Sequence, residues 1–136
     1  MKIILTSHGE FCSGLLDSLE MVAGSDFGIR VLPLTPGTSP EDFRERMKAL
    51  IEAEDPGDEG VVVAADIAGG TPFNSAIYLR RSYHLGVVGG VSLPILLTLA
   101  LEGQDDTVET LLERAEAAHA NGIKVVRPAN QERTTP

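Results

Sequence analysis

The chain of 136 residues has the length of one domain, and 43% of its residues are hydrophobic, which is enough for an aliphatic core. Twenty acidic residues against eleven basic ones give a formal net charge of −9, which disfavours binding to nucleic-acid phosphates. The single cysteine, Cys12, excludes an intrachain disulfide and is expected to be a small buried thiol. Pro94–Leu101 is apolar but too short to span a bilayer, and the N-terminus shows no signal-peptide pattern. We therefore expect a cytoplasmic protein, and we expect neither a metal nor a cofactor.

The first part of the chain predicts two pairs of a strand and a helix. An apolar strand over Lys2–Ser7 precedes a helix over Glu10–Ala23, in which apolar residues recur at helical spacing. A second strand over Ile29–Leu34 precedes a helix that has Ser39 as its N-cap and Pro40 in its first turn.

The second part of the chain continues the alternation. Gly60–Ala65 is a third strand, nearly all Val and Ala, as expected where both faces of a sheet are covered. The later segments are a helix from Thr71-Pro72 to about Arg80, a strand over Gly86–Val91, a short buried helix over Pro94–Glu102, an amphipathic helix over Thr107–Ala120 that stops at Asn121-Gly122, and a last strand over Ile123–Val126. We expect one domain over residues 1–127 and a loose tail over residues 128–136.

This alternation indicates an α/β fold with a doubly wound, mostly parallel sheet and helices on both faces. For the first four strands we expect the order 2-1-3-4. In such sheets, ligands collect beyond the carboxyl ends of the strands, at the point where the strand order reverses. Strands one and three would be neighbours there, about 4.8 Å apart, so residues just past their carboxyl ends can touch.

His8 follows the first strand and Asp66 follows the third, so the expected fold brings these two side chains together. The neutral form of imidazole is a nucleophile near neutral pH. A carboxylate bonded to one ring nitrogen keeps the proton there and leaves the lone pair of the other nitrogen free to attack. We therefore predict a phosphohistidine site with His8 as nucleophile and Asp66 as its orienting acid.

Gly69, Gly70 and Thr71 follow Asp66 and are predicted to bind the phosphoryl group. The two glycines permit close backbone approach, and the helix that opens at Thr71 presents unpaired N–H groups to an anion. Taken alone, Thr71 before Pro72 is better explained as a helix cap, and the glycines as a flexible turn. A hydrolase triad is disfavoured because no nucleophile-elbow pattern is present, and a P-loop because the glycine turn lacks its lysine.

Three segments carry a resemblance to a known family. They are Thr6-Ser7-His8-Gly9 after the first strand, Asp66-Ile-Ala-Gly-Gly-Thr-Pro-Phe-Asn74 after the third, and Gly89-Gly-Val-Ser-Leu-Pro-Ile95. These motifs are similar to those of the mannose-class IIA components (the EIIA-Man family) of the bacterial sugar phosphotransferase system. The resemblance extends to about Val126.

The resemblance implies a phosphoryl carrier in sugar uptake. His8 would accept a phosphoryl group from the histidine-containing phosphocarrier protein (HPr) and pass it to a IIB component on a separate chain. Asp66 would match the family's paired carboxylate, and Thr71 the hydroxyl that contacts the phosphoryl group. Ala68 stands where some sugar-importing members carry a bulky aromatic residue, which puts the partner-facing rim in doubt.

The resemblance also implies further partners. Family members form homodimers in which a C-terminal strand, here Gly122–Val126, lies across the partner's sheet. Membrane IIC and IID components would be linked indirectly. An acidic surface that includes Glu10 and Glu20 would suit a basic patch on the donor.

Several alternatives remain open or are disfavoured. A regulatory module that senses phosphorylation without sugar transport, and the phosphocarrier domain of dihydroxyacetone kinase, would both use His8. A receiver-like domain is disfavoured because the first strand ends without an acidic pair to hold Mg²⁺. His84 lies in a polar stretch after a helix, and His119 near a helix C-terminus where positive charge is favourable, so both are poorer candidates than His8.

Overall fold

A computed structural model describes residues 2–103 and 107–129 of the chain. The described residues form one sheet in the order β2-β1-β3-β4, and every neighbouring pair of strands is parallel. This confirms the expected α/β fold with a doubly wound sheet. The strands are β1 (Lys2–His8), β2 (Arg30–Leu34), β3 (Val61–Ala65) and β4 (Leu85–Gly89), and the helices are α1 (Phe11–Ala23), α2 (Pro40–Glu54), α3 (Gly70–Leu79), α4 (Leu93–Glu102) and α5 (Val108–Asn121).

The core lies in two layers, one on each face of the sheet, because successive strand side chains point to opposite faces. Ile3 and Leu5 of β1 pack in one hydrophobic cluster with α1, α4 and α5. Ile4 packs in the other cluster, against α2 and α3. The buried thiol of Cys12 belongs to the first cluster, as predicted. The layering therefore places α1 and α3 on opposite faces of the sheet, and both of these helices begin at its carboxyl edge.

Three helices begin with a side-chain cap. The hydroxyl groups of Ser39, Ser92 and Thr107 each accept a hydrogen bond from a main-chain N–H in the first turn of α2, α4 and α5, respectively. The prediction for Ser39 is therefore confirmed.

The prediction of Thr71 as a helix cap is wrong. α3 already begins at Gly70, with Gly69 in the cap position and no side-chain cap. Both glycines have positive φ, +86° and +78°, so the chain makes its turn before it reaches Thr71. As a result, the Thr71 hydroxyl lies inside the first turn and not ahead of it.

The predicted last strand, Ile123–Val126, is also wrong for the single chain. Residues 123–128 belong to neither a helix nor a strand, and their side chains are exposed. A strand needs a neighbouring strand for its hydrogen bonds, and in the described part of the chain this segment pairs with none. Its exchange within a dimer stays a prediction, and so does the domain boundary at residue 127. Most of the predicted tail, residues 130–136, lies outside the described residues.

Across residues 2–103 and 107–129, no helix combines the length and the apolar character that crossing a membrane requires.

Candidate active site

His8 and Asp66 meet at the carboxyl edge of the sheet. His8 is the last residue of β1, and Asp66 directly follows β3. Nδ1 of His8 lies 3.0 Å from Oδ2 of Asp66, and the main-chain N–H of His8 donates to the same oxygen, also at 3.0 Å. The imidazole is 47% exposed, whereas the carboxylate is only 16% exposed. The imidazole ring is therefore accessible to solvent, whereas the carboxylate that holds it is mostly buried.

The hydrogen bonds around Asp66 keep its carboxyl group ionised. Burial raises the pKa of Asp66, but bonds from the main chain and ring of His8 and from the main-chain N–H of Ile67 outweigh it, so the net pKa lies below the ordinary value. A carboxylate that is ionised at neutral pH has no proton to donate. Nδ1 of His8 must therefore carry the proton, and in the neutral ring the lone pair is on Nε2.

Gly70 lies directly against the other side of this ring. A Cβ atom built on Gly70 would lie 2.8 Å from Cε1 and 3.0 Å from Nε2 of His8, so no larger residue fits without moving the ring. Its φ of +78° also disfavours any side chain. The sequence predicted that the glycine pair approaches a ligand. In the structure, Gly70 approaches the His8 ring itself and places the start of α3 beside Nε2.

The start of α3 has the character of an anion site. The first N–H groups of a helix have no partner within the helix, and its N-terminus carries partial positive charge. No side chain caps α3, and the half-buried Thr71 is its second residue. Gly69 precedes the helix, and a Cβ there would meet nothing within 4 Å. Of the predicted phosphate-binding residues, Gly70 thus lies against the ring at Nε2, and Gly69 and Thr71 flank it in the chain.

Ser7 is a residue that the sequence reasoning missed. Its hydroxyl is fully buried, donates to the carbonyl of Gly9 at 2.8 Å and accepts from the N–H of Cys12 at 2.9 Å. It therefore ties the turn after His8 to the first turn of α1. A signal was available, since a polar residue at the end of a buried strand and just before a glycine turn has local N–H groups within reach.

The other two histidines lie elsewhere. His84 precedes β4 at the opposite edge of the sheet, with Nε2 at 3.7 Å from a carboxylate oxygen of Glu109. His119 is exposed near the end of α5. In residues 2–103 and 107–129, no three His, Cys, Asp or Glu side chains come together in a group that could hold a metal ion.

Comparison with known proteins gives the family. A family model described as EIIA-man, PTS system fructose IIA component, matches residues 2–116. The sorbose-specific EIIA component of the phosphotransferase system (PTS) of Klebsiella pneumoniae is 30% identical, in an alignment that covers 84% of this chain and 83% of that relative. The chain belongs to this family.

Two further comparisons bear on the extent of the likeness. This IIA component is 28% identical to the PTS mannose-specific EIIAB component of Escherichia coli K12, over 100% of this chain but only 42% of that relative. It superimposes on the crystal structure of the phosphotransferase system component EIIA from Streptococcus agalactiae with a TM-score of 0.80 and 28% identity, over 92% of this chain and 97% of that one. The comparisons confirm the identification of the mannose-class IIA family from the motifs.

Proposed function

We propose that this IIA component carries a phosphoryl group on Nε2 of His8, taking it from phospho-HPr and passing it to a IIB component during sugar uptake in the cytoplasm. The observation that carries the proposal is the bond between Nδ1 of His8 and Asp66, together with the start of α3 beside Nε2. One nitrogen is held protonated and the other is left as the nucleophile next to an anion site.

The transfer step needs only this arrangement. The Nε2 lone pair attacks phosphorus as the P–N bond to the donor histidine breaks, and that electron pair returns to the donor ring. The proton on Nδ1 stays in place, so the phosphorylated His8 ring becomes cationic and Asp66 stabilises it. The same steps, with His8 now as the donor, transfer the phosphoryl group to the acceptor. Alignment and charge stabilisation supply most of the acceleration in such phosphoryl transfers.

The first turn of α3 supplies the charge stabilisation. The transition state spreads negative charge over the phosphoryl oxygens, and preorganised N–H groups stabilise such charge strongly. We assign this role to the main chain of Gly69, Gly70 and Thr71, with the Thr71 hydroxyl as an additional donor. The support is the uncapped start of the helix and the contact between Gly70 and the ring.

We also infer a homodimer. β4 is an edge strand, and a cavity of about 580 Å³ lies beside it between α4 and α5. Ile123, Val125 and Val126 expose 72%, 63% and 69% of their surface in the single chain. An exposed edge strand and an exposed apolar segment are each stabilised by pairing, so we propose that Gly122–Val126 of each subunit lies across the other's sheet.

A labelling experiment tests the proposed function. With phosphoenolpyruvate, enzyme I and HPr, the wild-type protein should gain one phosphate that is stable in base and labile in acid. His8→Ala should abolish the label, whereas His84→Ala and His119→Ala should keep it. Unchanged labelling of His8→Ala would overturn the proposal.

Candidate IIB proteins are then added to the labelled protein one at a time. Loss of the label to one of them supports the carrier role and identifies the acceptor. Retention of the label with every IIB protein tried would favour a regulatory role for the same phosphohistidine.

A further inference from the structure

The hydroxyl group of Ser7 lies at the turn that follows His8. Although it is polar, the Ser7 side chain is fully buried. Its hydroxyl donates to the carbonyl of Gly9 at 2.8 Å and accepts from the main-chain N–H of Cys12 at 2.9 Å. A serine hydroxyl has a single proton to donate, so the bond to Gly9 uses its whole donor capacity. One buried side chain thus joins the turn to α1.

Ser7 also does for α1 what a cap residue does for other helices. Glu10 occupies the cap position of α1, but in the described part of the chain its side chain makes no capping bond. The Glu10 carboxylate instead accepts from the hydroxyl of Ser13 at 2.9 Å. The N–H of Cys12 is one of the first helical N–H groups, which lack a partner within the helix, and it is bonded to Ser7. The start of α1 is therefore fastened to the end of β1.

The main chain around His8 is held from three sides. Its own N–H donates to Oδ2 of Asp66 at 3.0 Å. The N–H of Gly9 donates to the carbonyl of Leu34 in β2 at 2.9 Å. The carbonyl of Gly9 accepts from Ser7, and Gly9 has a left-handed φ of +64°, which glycine adopts without strain. Of these three bonds, that of Ser7 is the one that fixes the chain after it has turned.

The position of Nε2 of His8 depends on this main chain. The side chain is 47% exposed, so nearly half of its surface has no packing to hold it. The bond to Asp66 fixes Nδ1, whereas the direction of the main chain decides where Nε2 lies relative to Gly70. A misplacement of about 1 Å can lower the rate of a reaction about a hundredfold. A bond that fixes the turn after His8 therefore bears on the rate of any reaction at Nε2.

We propose that Ser7 is a positioning residue for phosphoryl transfer at His8. Its hydroxyl holds the main chain of Gly9 and Cys12, and through that main chain it keeps Nε2 of His8 beside the start of α3. Ser7 neither gains nor loses a proton in the reaction and acts only through the groups that it bonds. This inference rests on the proposed function, because it concerns the rate of that transfer.

Thr6, the residue before Ser7, provides a matched comparison. Its side chain is also fully buried, and its hydroxyl donates to the carbonyl of Leu32 at 2.8 Å. Adjacent side chains of a strand point to opposite faces of the sheet, so Thr6 and Ser7 lie on different faces. The bond of Thr6 joins β1 to the middle of β2, whereas that of Ser7 reaches the turn beside His8. Loss of either hydroxyl should lower stability, because a buried polar group loses its partner.

Single-turnover kinetics test the role of Ser7. In Ser7→Ala, the maximal rate of His8 phosphorylation by phospho-HPr should fall about tenfold or more, while the phospho-HPr concentration for half of that rate stays within about twofold of the wild type. Thr6→Val should keep both values within about twofold, because its bond does not reach the turn. Ser7→Thr keeps the hydroxyl and should restore the maximal rate to within about threefold of the wild type. In urea melts, Ser7→Ala and Thr6→Val should both unfold at lower urea concentrations than the wild type, so stability alone does not explain a difference in rate.

Ser7→Cys covers the case in which Ser7→Ala does not fold. A thiol is a weak donor and a weak acceptor, so the maximal rate of this variant should fall about threefold to tenfold. If Ser7→Ala is unfolded and Ser7→Cys transfers at the wild-type rate, the role of Ser7 is structural only and the proposal is refuted.

Phosphoramidate, a small phosphoryl donor, separates positioning of the ring from docking of a protein. It needs no protein surface, so in Ser7→Ala it should label His8 more slowly than in the wild type, by the same factor as phospho-HPr does. If only the reaction with phospho-HPr slows, or if Ser7→Ala and Thr6→Val show the same maximal rate, the positioning role is refuted. If neither donor labels His8 in the wild type, the proposed function itself fails.

Discussion

The starts of α3 and α4 make an instructive pair. Each follows a strand at the carboxyl edge of the sheet, and each has a hydroxyl residue shortly before a proline. Ser92 caps α4 by accepting a hydrogen bond from the N–H of Ile95 at 3.4 Å. α3 has Gly69 at its cap position, and no side chain accepts from its first turn.

The difference lies in what the first N–H groups of each helix can bind. A side-chain cap contributes about 1 kcal/mol to stability but occupies a donor that a ligand would otherwise receive. α4 takes that stabilisation, whereas α3 does without it and keeps its donors beside Nε2 of His8. Of these two helix starts, the one without a side-chain cap is thus the one beside the His8 ring. Four substitutions test this contrast.

Gly70→Ala is expected to have the largest effect. A Cβ at this position displaces the His8 ring, so the rate of phosphorylation by phospho-HPr should fall at least a hundredfold. The left-handed backbone should also lower the free energy of unfolding by about 1–2 kcal/mol. Gly90→Ala, before α4, is the control, because its φ is +94° but its Cβ meets nothing within 4 Å. It should lose similar stability in urea melts and keep its transfer rate. Equal losses of rate in the two variants would contradict the ring contact.

Asp66→Asn should slow transfer by about tenfold to a hundredfold, because an amide secures the Nδ1 proton less well than a carboxylate. The exposed Asp17, changed to Asn, serves as control and should transfer at the wild-type rate. A wild-type rate for Asp66→Asn would refute the orienting role of the carboxylate.

The Asp66→Asn substitution should also change how the stability of the protein depends on pH. The pKa of Asp66 is lower in the folded protein, so the ionised carboxylate stabilises the fold above the unfolded carboxyl pKa of about 3.9. That contribution is lost as the pH falls through the still lower folded value. Urea melts should show a difference between wild type and Asp66→Asn that is present at pH 5 and shrinks below pH 4. A difference that grows towards low pH would show that the pKa is raised and not lowered.

Thr71→Val should separate function from stability. The hydroxyl does not cap α3, so its removal should change the free energy of unfolding by less than about 0.5 kcal/mol. The transfer rate should fall about threefold to tenfold, since one donor to the phosphoryl group is lost. A loss of stability without a loss of rate would restore the role of Thr71 as a cap.

Ser92→Ala is the reciprocal change and has the smallest effect on transfer. Loss of the α4 cap should lower the free energy of unfolding by about 0.5–2 kcal/mol. Labelling of His8 should proceed at the wild-type rate. A slowed transfer in this variant would show that the two helix starts are not independent.

The sequence correctly predicts the features that follow from the order of the strands. It misses the features that depend on close contacts between particular residues. The meeting of His8 and Asp66 follows from the strand order, because parallel strands end at a common edge. The contact of Gly70 with the imidazole does not follow, since its positive φ and its distance to the ring are set by how the turn packs. The pattern of Thr71 before Pro72 predicts a cap, because a hydroxyl before a proline is a common cap, and only the backbone of the preceding glycines reveals the earlier start of α3.

The C-terminal segment is a second feature that the sequence alone does not predict correctly, and here the feature is a whole strand. Ile123–Val126 has the composition of a strand, but a strand also needs a neighbour, and among residues 2–103 and 107–129 it has none. Composition alone carries no information about where that neighbour lies.

The shared oxygen of Asp66 has a consequence for the entropy of the reaction. Oδ2 receives both the main-chain N–H and the ring Nδ1 of His8, so the two donors and the acceptor close a small ring that spans the Cα–Cβ bond. Rotation about that bond breaks a hydrogen bond, and the imidazole is confined to one rotamer although nearly half of its surface, 47%, is open to solvent. In the proposed transfer, a donor and then an acceptor would each meet the same nitrogen in the same direction. The side chain has little freedom left to lose at either encounter.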